Sequence, residues 1–170
     1  TDRVKQSVFD RLDAMDAIED GNVLDLFAGT GTLGLEALSR GAARCQFVEQ
    51  QSQAATLLNE ALKLLNASER GDVYRGDARG FLKSANTGEY DLVFLDPPFA
   101  SDLLESVLDQ LEDSALLAPE ALVYVECAVD QSPSIPDHWE QHRRKKSGGV
   151  IYALYYVKKR YLKTGADGPT

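Results

Sequence analysis

Short apolar runs alternate with helical stretches through the first 127 residues, and this alternation narrows the possible folds more than any other feature. "NVLDLFAG", "RCQFVE", "DVYRGD", "YDLVFLD" and "ALVYVEC" read as strands. "TLGLEALSRGA", residues 54–65, "ARGFLKSA" and residues 103–111 read as the helices between them, the first closed by Gly41 as a C-cap. Strand, helix and strand in sequence require parallel neighbours joined by crossover helices on both faces of a sheet. After Cys127 the rhythm changes. "SPSIP" is a loop, "HWEQHRRKKSGG" is polar but strand-compatible, and "VIYALYYVKKRY" is strongly β-prone. No helix fits between the last two, and Gly148-Gly149 supplies a turn, so they should form an antiparallel hairpin. At the other end, Val4, Val8, Phe9, Leu12 and Met15 recur at helical spacing, with Asp2 placed to cap a helix over residues 3–15. The expected fold is α/β, a mostly parallel sheet with helices on both faces and a C-terminal antiparallel hairpin. It should form one domain over residues 1–163, of which 1–20 are an N-terminal helix and linker, with 164–170 a flexible tail.

A chain of 170 residues, 44% hydrophobic, buries one core. No apolar stretch reaches the roughly 18–20 residues needed to span a bilayer, and no leader pattern opens the sequence, so a soluble, cytoplasmic protein is expected. The sequence starts at Thr1 without a methionine, and part of the native N-terminus is expected to precede it. Cys45 and Cys127 lie far apart without Cys or His companions. No metal site and no disulfide is expected of them. The net charge of -9 argues against polyanion binding by the body as a whole, yet eight of the 18 basic residues crowd the C-terminal segment: Arg143, Arg144, Lys145, Lys146, Lys158, Lys159, Arg160 and Lys163. They form either a local basic face or the solvated charges of an edge strand.

"GTGTLG" places Gly29, Gly31 and Gly34 in G-x-G-x-x-G spacing directly after a strand and before a helix. Such glycines permit a tight turn and close approach of a ligand to the backbone, while the helix N-terminus presents free N–H groups. Glu49 ends the second strand, at the right distance to accept hydrogen bonds from both hydroxyls of a ribose. A nucleoside cofactor follows, either a dinucleotide or S-adenosylmethionine. Asp25, at the mouth of the first strand, would repel a pyrophosphate but could receive the ammonium of an amino-acid moiety, directly or through water. Asp77, after the third strand, could accept from an adenine amine while the backbone of Ala78 meets the ring edge; as an ordinary alternative, Asp25 and Asp77 are helix caps. Phe27 and Ala28, leading into the turn, Gln50, after Glu49, and Asp96, after the fourth strand, complete the candidate cofactor-binding set.

"DLVFLDPPF" ends the fourth strand with Asp96, Pro97, Pro98 and Phe99. In a doubly wound sheet that strand end lies beside the first, at the crevice where ligands bind. The prolines fix the backbone, so the Asp96 carboxylate and the Pro97 carbonyl become two preorganised acceptors, suited to the two hydrogens of a nucleobase amine. Phe99 offers a face for the base, worth roughly 1–3 kcal/mol. The chemistry expected is methyl transfer to that amine, with the rate gained by positioning and Asp96 taking the proton or passing it to water.

"TDRVKQSVF", "LDLFAGTGTLGLEALSRGA", "FVE", "LVFLDPPF" and "LVYVE", in that order and spacing, resemble the class I, Rossmann-like methyltransferases and, within them, the RsmD family of bacterial small-subunit ribosomal RNA guanine-N2 methyltransferases. The resemblance covers residues 1–157 and implies a seven-stranded sheet whose last strand is antiparallel, S-adenosylmethionine near Asp25, Gly29, Gly31, Glu49, Asp77 and Ala78 with S-adenosylhomocysteine as product, and a flipped guanine at Asp96 to Phe99. Its implied partner is 16S rRNA or an assembling small subunit, met by a monomer without metal or membrane. Arg3, Lys5 and the Arg143 to Lys146 run are the candidate RNA contacts. The chain departs from the family in beginning inside the T-x-x-R-V-R-E stretch, after the usual basic arm, and in having Lys5-Gln6 where Arg-Glu is usual.

Other readings stay open on the residues alone. D-P-P-F also suits adenine N6 in DNA or RNA, or protein glutamine; the glycine turn also suits a dinucleotide oxidoreductase or a binding module without activity. Guanine N2, adenine N6 and cytosine N4 all present an amine, and the choice of guanine follows from the resemblance. His138 and His142 share a face if both lie in one strand, and surface or packing roles are expected of them, as are packing roles for Trp139, Tyr152, Tyr155, Tyr156 and Tyr161.

Overall fold

The computed structural model describes residues 2–85, 89–98 and 102–157. In chain order the elements are α1 (Asp2–Ala14), β1 (Asn22–Asp25), α2 (Thr32–Ser39), β2 (Arg44–Glu49), α3 (Ser52–Leu64), β3 (Gly71–Arg75), α4 (Ala78–Ser84), β4 (Tyr90–Leu95), α5 (Leu103–Asp113), β5 (Leu117–Ala128), β6 (Trp139–Ser147) and β7 (Val150–Val157). They build one seven-stranded sheet in the order β3-β2-β1-β4-β5-β7-β6. The five strands joined through helices pair in parallel, and β7 runs antiparallel to both its neighbours. This is the expected architecture, hairpin included.

Alternation along the strands sorts the apolar residues onto two faces. Leu24, Val93, Leu95, Val123 and Val125 pack with α4 and α5, through Phe81, Leu104, Val107 and Leu111. Val23, Phe47, Leu92, Phe94 and Tyr124 pack with α1, α2 and α3, through Phe9, Leu12, Leu38 and Leu58. Neither layer can form without the sheet between them. Helix α1 lays Phe9 against Phe94, ring centroids 5.6 Å apart. It is tied to α2 by Arg40, which bonds Asp10 at 3.1 Å, Asp13 at 2.7 Å and Glu36 at 2.8 Å, with its guanidinium 5.2 Å from the centre of the Phe9 ring.

Two strands differ from the sequence reading. β5 begins four residues before "ALVYVEC", at Leu117, because the register jumps between Tyr90 and Leu92 and the irregularity absorbs Pro119, which has no N–H to give a ladder. In β6 the register shifts between Gln141 and Arg143, leaving His142 as the extra residue. His138 and His142 therefore do not share a strand face. His138 precedes β6 and pairs with Glu112 of α5 at 3.2 Å, whereas His142 accepts from Arg11 of α1 at 3.2 Å, across the sheet. Trp139 and Tyr155 pack as expected, 6.4 Å apart. Phe99, Tyr161, the four basic residues from Lys158 to Lys163 and the boundary at 163/164 lie outside the described residues.

Phe9, 3% exposed, is the contact on which the seating of α1 depends. Phe9→Ala should cost about 3–5 kcal/mol, read as a lower urea midpoint with an unchanged slope.

Candidate active site

Reversal of the strand order between β1 and β4 opens a crevice at the carboxyl ends of the parallel strands. A cavity of about 550 Å³ lies there, within the range that holds a nucleoside-sized ligand. Of the predicted cofactor residues, Phe27, Gly29, Glu49, Gln50, Asp77, Ala78 and Asp96 line it, and so do Pro97 and Pro98. Leu26, Val48, Gln51, Gly76, Leu103 and Glu126 complete the wall.

The turn after β1 is shaped by its glycines in two ways. Gly29 has φ +59°, and a β-carbon there would meet no protein atom, leaving its backbone bare to the cavity. Gly34 is a packing position: a β-carbon would lie 2.3 Å from the Phe47 ring. The other predicted cofactor residues, Asp25, Ala28, Gly31 and Gly34, lie behind the turn and are not among the described residues that line the cavity.

Glu49 is fixed by the backbone it faces. Oε1 accepts from Gly29 N at 2.7 Å and Oε2 from Gln51 N at 2.8 Å. Each carboxylate oxygen has a second lone pair, so both remain able to take a hydroxyl. Asp77 caps α4, accepting from Arg79 N at 3.1 Å, and lines the cavity as well. The cap and a place in the cavity wall thus coexist in one side chain.

Asp25 is 1% exposed and lies beneath the turn. Oδ2 accepts from Gly34 N at 3.1 Å, while Oδ1 has no partner. Burial, with the Asp96 and Glu49 charges nearby, pushes its carboxyl up to about 7. A buried, unpartnered oxygen beneath the turn, in a field of negative charge, disfavours a pyrophosphate on the turn above it. Asp96 is half-buried, and its carboxyl is pushed up to about 6 by burial and by Glu126, with the Lys5 charge pulling the other way. The Lys5 charge, one turn of α1 before Phe9, is therefore within electrostatic reach of Asp96.

Glu126 is the charged residue of the wall that the sequence reading missed. It is 7% exposed, and its Oε1 accepts the Tyr124 hydroxyl at 2.8 Å. The signal was present: an acid closing an apolar run, on the strand next to Asp96. The basic run is divided by strand alternation. Arg143 and Lys145 pair with Leu154 and Tyr152, on the α1 side, whereas Arg144 and Lys146 pair with Ala153 and Ile151, on the α5 side. No group of three or more His, Cys, Asp or Glu able to hold a metal is found among the described residues, and no helix among them is long and apolar enough to cross a membrane.

Residues 1–156 match the family model described as Conserved hypothetical protein 95. The chain is 42% identical over 156 residues to ribosomal RNA small subunit methyltransferase D of Escherichia coli strain K12, covering 91% of this chain and 77% of that protein. It is 40% identical to the protein of the same name from Haemophilus influenzae, over 91% and 80% of the two chains. A solved structure assigned as a methyltransferase of Escherichia coli superposes with a TM-score of 0.87 at 40% identity, over 94% of this chain and 88% of that one. At 18% identity and a TM-score of 0.69, an RNA methyltransferase from Salinibacter ruber in complex with S-adenosyl-L-homocysteine shares the fold over 92% of this chain and 94% of that one.

The Asp25 carboxyl, raised in the folded protein above its ordinary value near 4, favours folding below about pH 4 and loses that contribution as pH rises through 7. Relative to Asp25→Asn, the wild type should lose about 2–4 kcal/mol between pH 4.5 and pH 8. Urea unfolding of both proteins at the two pH values measures it, and a constant difference would mean the carboxyl is not buried as described.

Proposed function

The chain belongs to the Conserved hypothetical protein 95 family, that of the ribosomal RNA small subunit methyltransferase D proteins, and we propose that it transfers a methyl group from S-adenosylmethionine to the exocyclic N2 of a guanine in 16S rRNA. One observation carries the reading: Asp96-Pro97-Pro98 lines the same cavity as Gly29, Glu49, Asp77 and Ala78. The group to be methylated and the methyl donor can share one enclosure.

When bound, S-adenosylmethionine supplies an electrophilic methyl group. Glu49 holds the ribose hydroxyls with the lone pairs its backbone donors leave free. Asp77 and the backbone of Ala78 take the adenine edge, and Asp25 receives the ammonium through water. Phe27 and Gln50 wall the nucleoside, while Ala28, Gly31 and Gly34 hold the turn in shape. Asp96 and the Pro97 carbonyl accept the two hydrogens of the guanine amine, which draws its lone pair out of the ring. Asp96 then accepts the proton the amine sheds, or hands it to water. Pro98 holds the direction of that carbonyl. Rate comes chiefly from this positioning.

RNA approaches over the α1 face. Lys5 looks onto Asp96, Arg3 lies half a turn away, and Lys145 lies in the row that runs from Asp96 through Glu126 and Tyr152 across the sheet. Arg143 shares that face, and Arg144 and Lys146 serve the opposite rim. The enzyme acts as a monomer in the cytoplasm, on 16S rRNA or an assembling small subunit.

Asp96→Ala should lower kcat about 100-fold or more while leaving the calorimetric Kd for S-adenosylmethionine nearly unchanged; equal loss of both would remove Asp96 from the transfer step. Because the carboxylate must be ionised and its pKa is about 6, wild-type activity on small subunits should fall as pH drops, reaching about a tenth of its plateau at pH 5. Lys145→Ala should reduce the salt dependence of RNA affinity by about 0.7–0.9 in slope, and Lys146→Ala by less. Equal slopes would place the RNA elsewhere.

A further inference from the structure

Guanine, adenine and cytosine each carry an exocyclic amine, and they differ in the ring nitrogen beside it. N1 of guanine bears a hydrogen; N1 of adenine and N3 of cytosine bear a lone pair. A site that only grips the amine cannot tell them apart. One acceptor more, placed next to the first, can.

β4 and β5 are parallel and in register through Leu95 and Val125. Asp96 and Glu126 are each one step beyond that pair, so they stand side by side where β4 ends, about 4.8 Å apart between strands, on one face. Both belong to the α1 face, since Phe94 and Tyr124, two residues earlier, pack there. Both line the cavity. Tyr124, 1% exposed and set edge-on to Phe94 at 5.8 Å, has a single hydroxyl hydrogen and gives it to Glu126 Oε1. That bond fixes the carboxylate and fills one of its four acceptor positions. The remainder point to a ligand that donates. Burying two neighbouring carboxylates at a cavity wall is costly unless donors meet them, and a base with a lone pair there would add repulsion to the loss.

We propose that Glu126 selects guanine, its carboxylate accepting the ring N1–H while Asp96 and the Pro97 carbonyl hold the N2 amine. This rests on the reading of the cavity as a methyl-transfer site. Three hydrogens in a row on the guanine edge then meet three acceptors in a row, and adenine or cytosine would set a lone pair against Glu126.

The test replaces the acceptor guanosine by 2-aminopurine riboside, which keeps the exocyclic amine but has a lone pair at N1. Small subunits would be reconstituted with 16S rRNA carrying either base at the position where wild-type enzyme places its methyl group. Wild type should prefer guanosine by roughly 100-fold or more in kcat/KM. In Glu126→Gln the preference should collapse to within roughly tenfold, because an amide can turn its NH2 toward a lone pair. Tyr124→Phe, which removes only the orienting hydroxyl, should keep most of the preference. Comparable use of both bases by wild type would overturn the proposal even if the Glu126 variant fails to fold, and an unchanged preference in a folded Glu126→Gln would do the same. If Tyr124→Phe loses the preference as fully as Glu126→Gln, Glu126 acts only through Tyr124 and the proposal fails. Absence of transfer to guanosine by wild type would instead bring down the methyl-transfer reading, and this selection with it.

Discussion

Parallel pairing of β4 with β5 is the constraint from which the site follows. β4 stops at Leu95 while β5 runs on to Ala128, and the residues one step past their last pair, Asp96 and Glu126, are both acids. Their charges disfavour each other, and burial raises the cost, which is why the Asp96 carboxyl stands near 6. The fold tolerates this because the cost falls at the open end of the sheet, where a ligand can relieve it, while Leu95 and Val125 immediately below are fully packed. Placing the strain one residue further down would put it in the core.

The same division between packed floor and polar rim shapes the glycine turn. Gly34 meets Phe47 and Cys45 below, and Gly29 faces open space above. Motif spacing treats the glycines alike, yet one makes room for the protein and another for the ligand. Asp25 sits at the boundary, satisfied on one oxygen by Gly34 and bare on the other.

The alternation of strands and helices was legible in the sequence because each run had one period, and so was the hairpin, whose residues are too β-prone for a crossover helix. The ends of β5 and β6 were not. Pro119 and the extra residue at His142 are absorbed by register shifts, and a shift depends on the partner strand, which local pattern does not contain. Glu49, Asp77 and Asp96 could be placed at the cavity because each ends or follows a strand in a recognisable context, whereas Asp25, read from the same kind of context, lies buried behind its wall. Glu126 could be placed only once β5 was known to lie beside β4, and the splitting of Arg143 to Lys146 between two faces required the register with β7. Phe27 and Gln50 were found with their neighbours, although Gln51, equally close to the cavity, was not.

Arg40 has a further meaning. Its partners are 41–66% exposed, so each ion pair contributes little by itself. What the guanidinium does is mechanical: it clips the helix carrying Lys5 to the helix that begins at the glycine turn. The helix whose Lys5 charge reaches Asp96 and the helix that follows the glycine turn are thereby fastened into one body.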